Sequence, residues 1–187
     1  MHRSEQLSSS QNKGARDRIV TGTNRCDSKE ELTFATELIN EVVQGINGIK
    51  TCMHVCRGNW SRKEETLLSG DYKPLVKYFQ EIKVDQLVLE FATERAGNLS
   101  VLEGLSGEKE LGLGVVNPRT DVVETPEQIA TRVRTATKYF DPSRIYLNPD
   151  CGFATFAETP LNSAKSAYAK LHAMATAASD LKKAVAG

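Results

Sequence analysis

Apolar residues recur along this chain in two alternating rhythms, one helical and one extended. Leu32, Ala35, Ile39, Val42, Val43 and Ile46 keep a helical period and predict a buried stripe. Ser28-Lys29-Glu30-Glu31 ahead of them has capping-box spacing, and Gly45 and Gly48 end the run. Residues 50–56 then read as a short strand closing on His54-Val55-Cys56. After a polar loop, Leu75, Tyr78, Phe79 and Ile82 mark a second helix, and Gln86 to Phe91 is an apolar run of strand length. A loop and short helix fall around Leu99 to Leu105, and Glu110 to Val116 is a third strand. Thr125-Pro126-Glu127-Gln128 is a helix start with proline in the first turn. Ile129, Val133, Ala136 and Phe140 form the buried stripe that follows. Residues 144–148 give a fourth strand, and an Ala-rich helix over about 160–185 closes the chain. Strands alternating with helices imply parallel pairing through right-handed crossovers.

This order places chemistry-bearing residues at one edge. His54 and Cys56, two apart on a strand, point to the same face. Cys151, just past the fourth strand, and Glu90, ending the second, complete a set of one imidazole, two thiolates and one carboxylate. Such an N/S pocket suits Zn²⁺, and the carboxylate suits a site that must release a ligand to a substrate. All four fall at the C-terminal ends of predicted strands or just beyond, where parallel α/β folds carry their chemistry. Glu90 has a plainer alternative, pairing with Arg57 or Arg95.

Composition narrows the function classes. Lys+Arg and Asp+Glu balance at 24 each among 187 residues, so no net field attracts nucleic acid or an anionic membrane. No apolar run is long enough for a membrane span, and MHRSEQLSSSQNKGARDR has no secretory h-region. Residues 1–27 read as a flexible polar arm and 28–187 as one domain. Four cysteines in such a chain suggest reduced thiols in a cytoplasmic setting rather than a disulfide framework. Cys52 reads as a small buried hydrophobe, and Cys26 as incidental in the arm. Trp60 reads as a loop anchor and His172 as a surface residue. Gly112 and Gly114, inside a strand, signal close packing and not a phosphate loop. Arg57 and Asn59 are left open between contacting a substrate carboxylate and bracing the loop.

HVCRGNW (54–60), LVLEF (87–91), LGLGVVNPRTDVVETPEQIATRV (111–133) and NPDCGF (148–153), in that order on βα units, carry a family resemblance. Over roughly residues 30–180 the chain resembles the catalytic barrel of cobalamin-independent methionine synthase. The resemblance implies an α/β fold of the (βα)₈ TIM-barrel type, here incomplete, with about four parallel βα units against the about 250 residues of a full barrel. It implies zinc held by His54, Cys56, Glu90 and Cys151. It implies methyl transfer from a methyltetrahydrofolate-like donor to a homocysteine-like thiol, with Glu90 the ligand that yields. The family's Asp-Glu-Pro strand end does not occur in this sequence. A half-barrel would leave two strand edges and an apolar inner face exposed, so the expected partner is a second copy or a complementing chain. A catalytically silent zinc-binding remnant or interaction module is the alternative from another class. A third reading is a related zinc thiol alkyltransferase, for instance of the coenzyme M type.

Overall fold

The computed structural model describes residues 27–59, 61–63, 66–105, 107, 109–154 and 156–186. The arm at residues 1–26, Cys26 within it, and Trp60 lie outside the described residues. The chain divides into two units, residues 1–35 and 36–187. Within the first, helix α1 (Ser28–Val43) begins, and the Asp27 carboxylate, not Ser28, caps it by accepting the Lys29 N–H at 2.9 Å.

The larger unit is one parallel sheet of four strands in the order β1 (Cys52–Val55), β2 (Gln86–Leu89), β3 (Glu110–Val116) and β4 (Ile145–Pro149). Sequential order with every neighbour parallel is the singly wound pattern of a (βα)₈ barrel wall, whereas a doubly wound sheet reverses order midway. Helix α2 (Val76–Glu81) connects β1 to β2, and α3 (Pro126–Ala136) connects β3 to β4. Between β2 and β3 the chain uses 3₁₀ turns, the longest at Leu99–Leu105. Helix α4 (Ala164–Ala186) follows β4, with the Ser163 hydroxyl accepting the Ser166 N–H at 3.1 Å. The predicted start of α3 is found as a full capping box, Thr125 and Gln128 each bonding the other's backbone.

Register separates the two faces of the sheet. Cys52, Gln86 and Glu110 lie side by side, as do His54, Val88, Gly112 and Tyr146. The alternate residues Leu87, Leu89, Leu111 and Leu113 are buried in one core with Phe79, Ile82, Ile129, Val133, Met174 and Ala177. The helices therefore cover the leucine face. Among the described residues the other face stays partly accessible, and it is polar, not apolar as the sequence led one to expect. Lys50 bonds Glu110 at 2.5 Å and Tyr146 at 3.1 Å, and Gln86 bonds Glu110 at 3.2 Å. Cys52 is exposed on this face, its Sγ 3.5 Å from the Gln86 amide oxygen. It is not a buried hydrophobe, because among the described residues no layer packs over β1 on that side.

Helix α1 also departs from its periodicity. Ile39 and Val43 pack against the core, but Ala35, Val42 and Ile46 are exposed, together with Leu38. The helix is apolar on two sides, and period alone does not say which side faces the sheet. No helix among the described residues is long and apolar enough to cross a membrane.

Candidate metal centre

The C-terminal edge of the sheet gathers the four residues singled out from the sequence. His54 sits within β1, Cys56 follows its end, Glu90 follows β2, and Cys151 follows β4. Their donor atoms all lie within 4.8 Å of one another. His54 Nε2 is 3.2 Å from Cys151 Sγ and 3.9 Å from Glu90 Oε1. Cys151 Sγ is 3.4 Å from Cys56 Sγ and 3.3 Å from Glu90 Oε1. Metal–ligand bonds of about 2.0–2.3 Å at tetrahedral angles need donor separations of about 3.3–3.8 Å. Four of the six separations, from 3.2 to 3.9 Å, stand close to that spacing and the others stay within 4.8 Å, so the set fits a small N/S-binding cation.

Local structure aims each donor. His54 Nδ1 lies 3.1 Å from the Val88 carbonyl. A proton on Nδ1 satisfies that carbonyl and leaves the Nε2 lone pair facing the other three donors. Cys56 Sγ accepts the Gly58 N–H at 3.3 Å. Burial pushes the Cys151 thiol above its ordinary range, and the neighbouring Cys56 thiol and Glu90 carboxylate push further. A bound dication would reverse that effect, because it favours thiolate over thiol.

Glu90 is fully buried and the most elaborately held of the four. Its Oε1 accepts the Asn59 side-chain N–H at 2.5 Å and the Arg57 backbone N–H at 3.2 Å. Its Oε2 accepts Arg95 Nη2 at 3.5 Å. Pairing with Arg95 thus accompanies the approach to the other donors and does not compete with it, because different oxygens are used. The Glu90 backbone N–H donates to the Tyr72 hydroxyl at 2.9 Å. The Arg57 guanidinium lies 4.1 Å over the Tyr72 ring and bonds the Gly70 carbonyl. Arg57 and Asn59 therefore brace the loop and the carboxylate.

Sequence reasoning missed Asp150 and Arg119. Asp150 Oδ1 accepts the Phe91 and Ala92 N–H groups at 2.9 Å each, clamping the backbone just after Glu90. Burial pushes its carboxyl up to about 7, against the pull of those N–H groups. Arg119, from the loop after β3, is buried and donates Nε–H to Asn59 Oδ1 at 2.8 Å. Asp150 was findable as the neighbour of a candidate ligand; nothing in the spacing pointed to Arg119. Gly112 and Gly114 are close-packing positions as read, and a Cβ at Gly114 would fall 2.3 Å from Asp150 Oδ1. His172 is exposed on α4.

The loops around the site are tied together. Arg62, after β1, bonds both Asp121 oxygens at 2.7 and 3.0 Å and reaches the Leu161 carbonyl. Lys170 on α4 is buried and pairs with Glu124 at 3.0 Å.

Known proteins resemble the chain over this whole region. A methionine synthase from Saccharolobus solfataricus is 37% identical over 146 residues, covering 78% of this chain and 38% of the relative. One from Thermococcus kodakarensis is 38% identical over 123 residues, covering 66% of this chain and 32% of the relative. The chain thus spans well under half the length of these curated relatives. Its fold matches that of a B12-independent methionine synthase from Shewanella sp. W3-18-1, solved in complex with selenomethionine. The TM-score is 0.72 at 22% identity, covering 84% of this chain and 45% of that one. The profile of the family described as cobalamin-independent synthase, catalytic domain, matches residues 16–180. A match that runs through all four strands makes this chain a member of the cobalamin-independent methionine synthase family, on its catalytic-domain side.

Proposed function

We propose that this chain is the metal-bearing half of a zinc-dependent S-methyltransferase that makes methionine from homocysteine and a methyltetrahydrofolate-type donor. The observation that carries the reading is the gathering of His54, Cys56, Glu90 and Cys151 within 4.8 Å at the C-terminal sheet edge, in a chain of this family. Those four would hold Zn²⁺. When bound, Zn²⁺ would keep a coordinated substrate thiol as thiolate at neutral pH, where a free thiol of pKa about 8.5 is mostly protonated.

The chain's own residues supply orientation. His54 presents Nε2 because Val88 engages Nδ1. Glu90, the hardest donor and the least matched to a thiolate-rich site, is the member that yields to an incoming thiol. The accessible polar face beside His54 gives thiol and donor a way in. The free thiols Cys52, Cys56 and Cys151 fit a reducing, cytoplasmic setting.

Purified chain should carry about one Zn²⁺, by analogy with N/S₂O sites. With zinc bound it should alkylate a thiol from a simple methyl donor. Folate-dependent methionine formation by the chain alone should be far weaker, because half a barrel wall supplies only part of a substrate cavity. A chain that takes up no zinc at neutral pH under reducing conditions would overturn the reading.

The active form needs a partner. Among the described residues β1 and β4 each pair on one side only, leaving two free parallel edges. Leu38, Val42, Ile46 and Ile49, ahead of β1 in the chain, add exposed apolar surface. A second copy or a complementing half-barrel would cover both. Sedimentation at micromolar concentration should show a dimer or larger species, and a sharply melting monomer would argue against this assembly.

A further inference from the structure

Glu90 raises a question that the metal reading alone does not answer. A carboxylate that leaves a metal while fully buried becomes an unpaired interior charge unless other groups hold it. Three N–H donors already surround it: Asn59 Nδ2 and the Arg57 backbone on Oε1, and Arg95 on Oε2. Two of these are fixed by other needs. The Arg57 N–H belongs to the backbone, and Arg95 also bonds the Leu68 carbonyl. Asn59 is different. It is buried, it touches the same oxygen that faces His54 and Cys151, and it makes the shortest contact.

Asn59 has an amide whose two ends could exchange by rotation. Arg119 prevents that, because its Nε–H can only donate, so the Asn59 oxygen must face Arg119 and the NH₂ must face Glu90. We propose that Asn59, oriented by Arg119, is the positioning residue that lets Glu90 leave the metal: its amide holds the freed carboxylate inside the protein. The inference rests on the zinc reading above and deepens it. Asn59 and Arg119 lie outside the four-donor set. Asn59 acts through Glu90, and Arg119 acts through Asn59.

The test uses the full chain loaded with Zn²⁺ and a small monothiol, 2-mercaptoethanol, which needs no amino-acid pocket. X-ray absorption at the zinc edge counts sulfurs as thiol is added, and metal analysis gives zinc per chain without it. In the unaltered chain the count should rise from two to three. Asn59→Ala should keep about one zinc per chain but need on the order of tenfold more thiol for the same rise, because the freed carboxylate loses its closest donor. Arg119→Met should shift the curve in the same direction. Combining the two should add little, since both act on Glu90 through the Asn59 amide. In a Glu90→Gln background the Asn59→Ala shift should shrink severalfold, because a departing amide gives Asn59 no anion to hold, and a neutral hydrogen bond is weaker than one to a charged group.

A thiol dependence unchanged in Asn59→Ala and Arg119→Met would overturn the proposal, and so would loss of zinc in both without thiol. Loss of zinc would mean that they merely hold the loop. Should Asn59→Ala fold poorly by circular dichroism, Arg119→Met carries the same expectation with Asn59 intact. Failure of the unaltered chain to bind zinc would instead strike the metal reading itself, and the two failures are distinguishable on the same samples.

Discussion

Cys151→Ser is expected to empty the metal centre, lowering zinc from about one per chain to near none after dialysis against a chelator. Cys151 is the hub of the set: its Sγ stands 3.2, 3.4 and 3.3 Å from His54, Cys56 and Glu90. A serine hydroxyl does not ionise near neutral pH, so the site would keep its geometry and lose the charge that holds a dication. Altering outer-shell partners of a metal already costs about 10–100-fold in affinity, so loss of a thiolate ligand should exceed about 100-fold. Cys56→Ser should act in the same direction. Cys52→Ser is the control, because Cys52 faces Gln86 and stands outside the set. Zinc content unchanged in both Cys56→Ser and Cys151→Ser would remove the ligand assignment.

The second large effect should come from a residue with no side chain. A Cβ at Gly114 would meet Asp150 Oδ1 at 2.3 Å, the Leu89 carbonyl oxygen at 2.8 Å and Phe91 N at 3.0 Å. None of these can retreat cheaply: two are backbone, and the third is held by two N–H groups. Gly114→Ala forces Asp150 off Phe91 and Ala92 and leaves buried donors unpaired. Overpacking combined with such a loss should cost about 3 kcal/mol or more. The same clamp positions the chain beside Glu90 and Cys151, so surviving protein should also bind metal less well. Gly45→Ala makes the comparison. Gly45 has φ +78° with nothing near its Cβ position, so only backbone strain of about 1 kcal/mol applies. Chemical denaturation of the two variants should rank Gly114→Ala as the more damaging. Equal midpoints would show that the sheet yields at this point.

Local pattern carried the architecture a long way. The four strands and the capped start at Thr125 were legible because strand runs and capping residues act within a few positions of themselves. So were the four candidate ligands, because period-2 geometry and strand-end placement assign His54, Cys56, Glu90 and Cys151 to one edge without tertiary information. Three features were not legible. Helix α1 has apolar residues on two sides, and Val42 faces out while Val43 faces in. Cys52 shares its strand face with His54, yet it is exposed, because burial depends on what covers the strand. The accessible face is polar through Lys50, Gln86, Glu110 and Tyr146, which lie far apart in sequence and meet only in register.

The sequence by itself determined element order, the parallel α/β class, the family and the four donor types, since each depends on local periodicity or residue chemistry. Only the tertiary structure decided that the donors converge within 4.8 Å and that Gly114 makes room for Asp150. It alone linked Arg119 through Asn59 to Glu90, joining loops from three strand ends. Those contacts span 31 and 60 positions. No local rule encodes such separations, because side-chain hydrogen bonds between loops exist only after sheet register has brought the strand ends together.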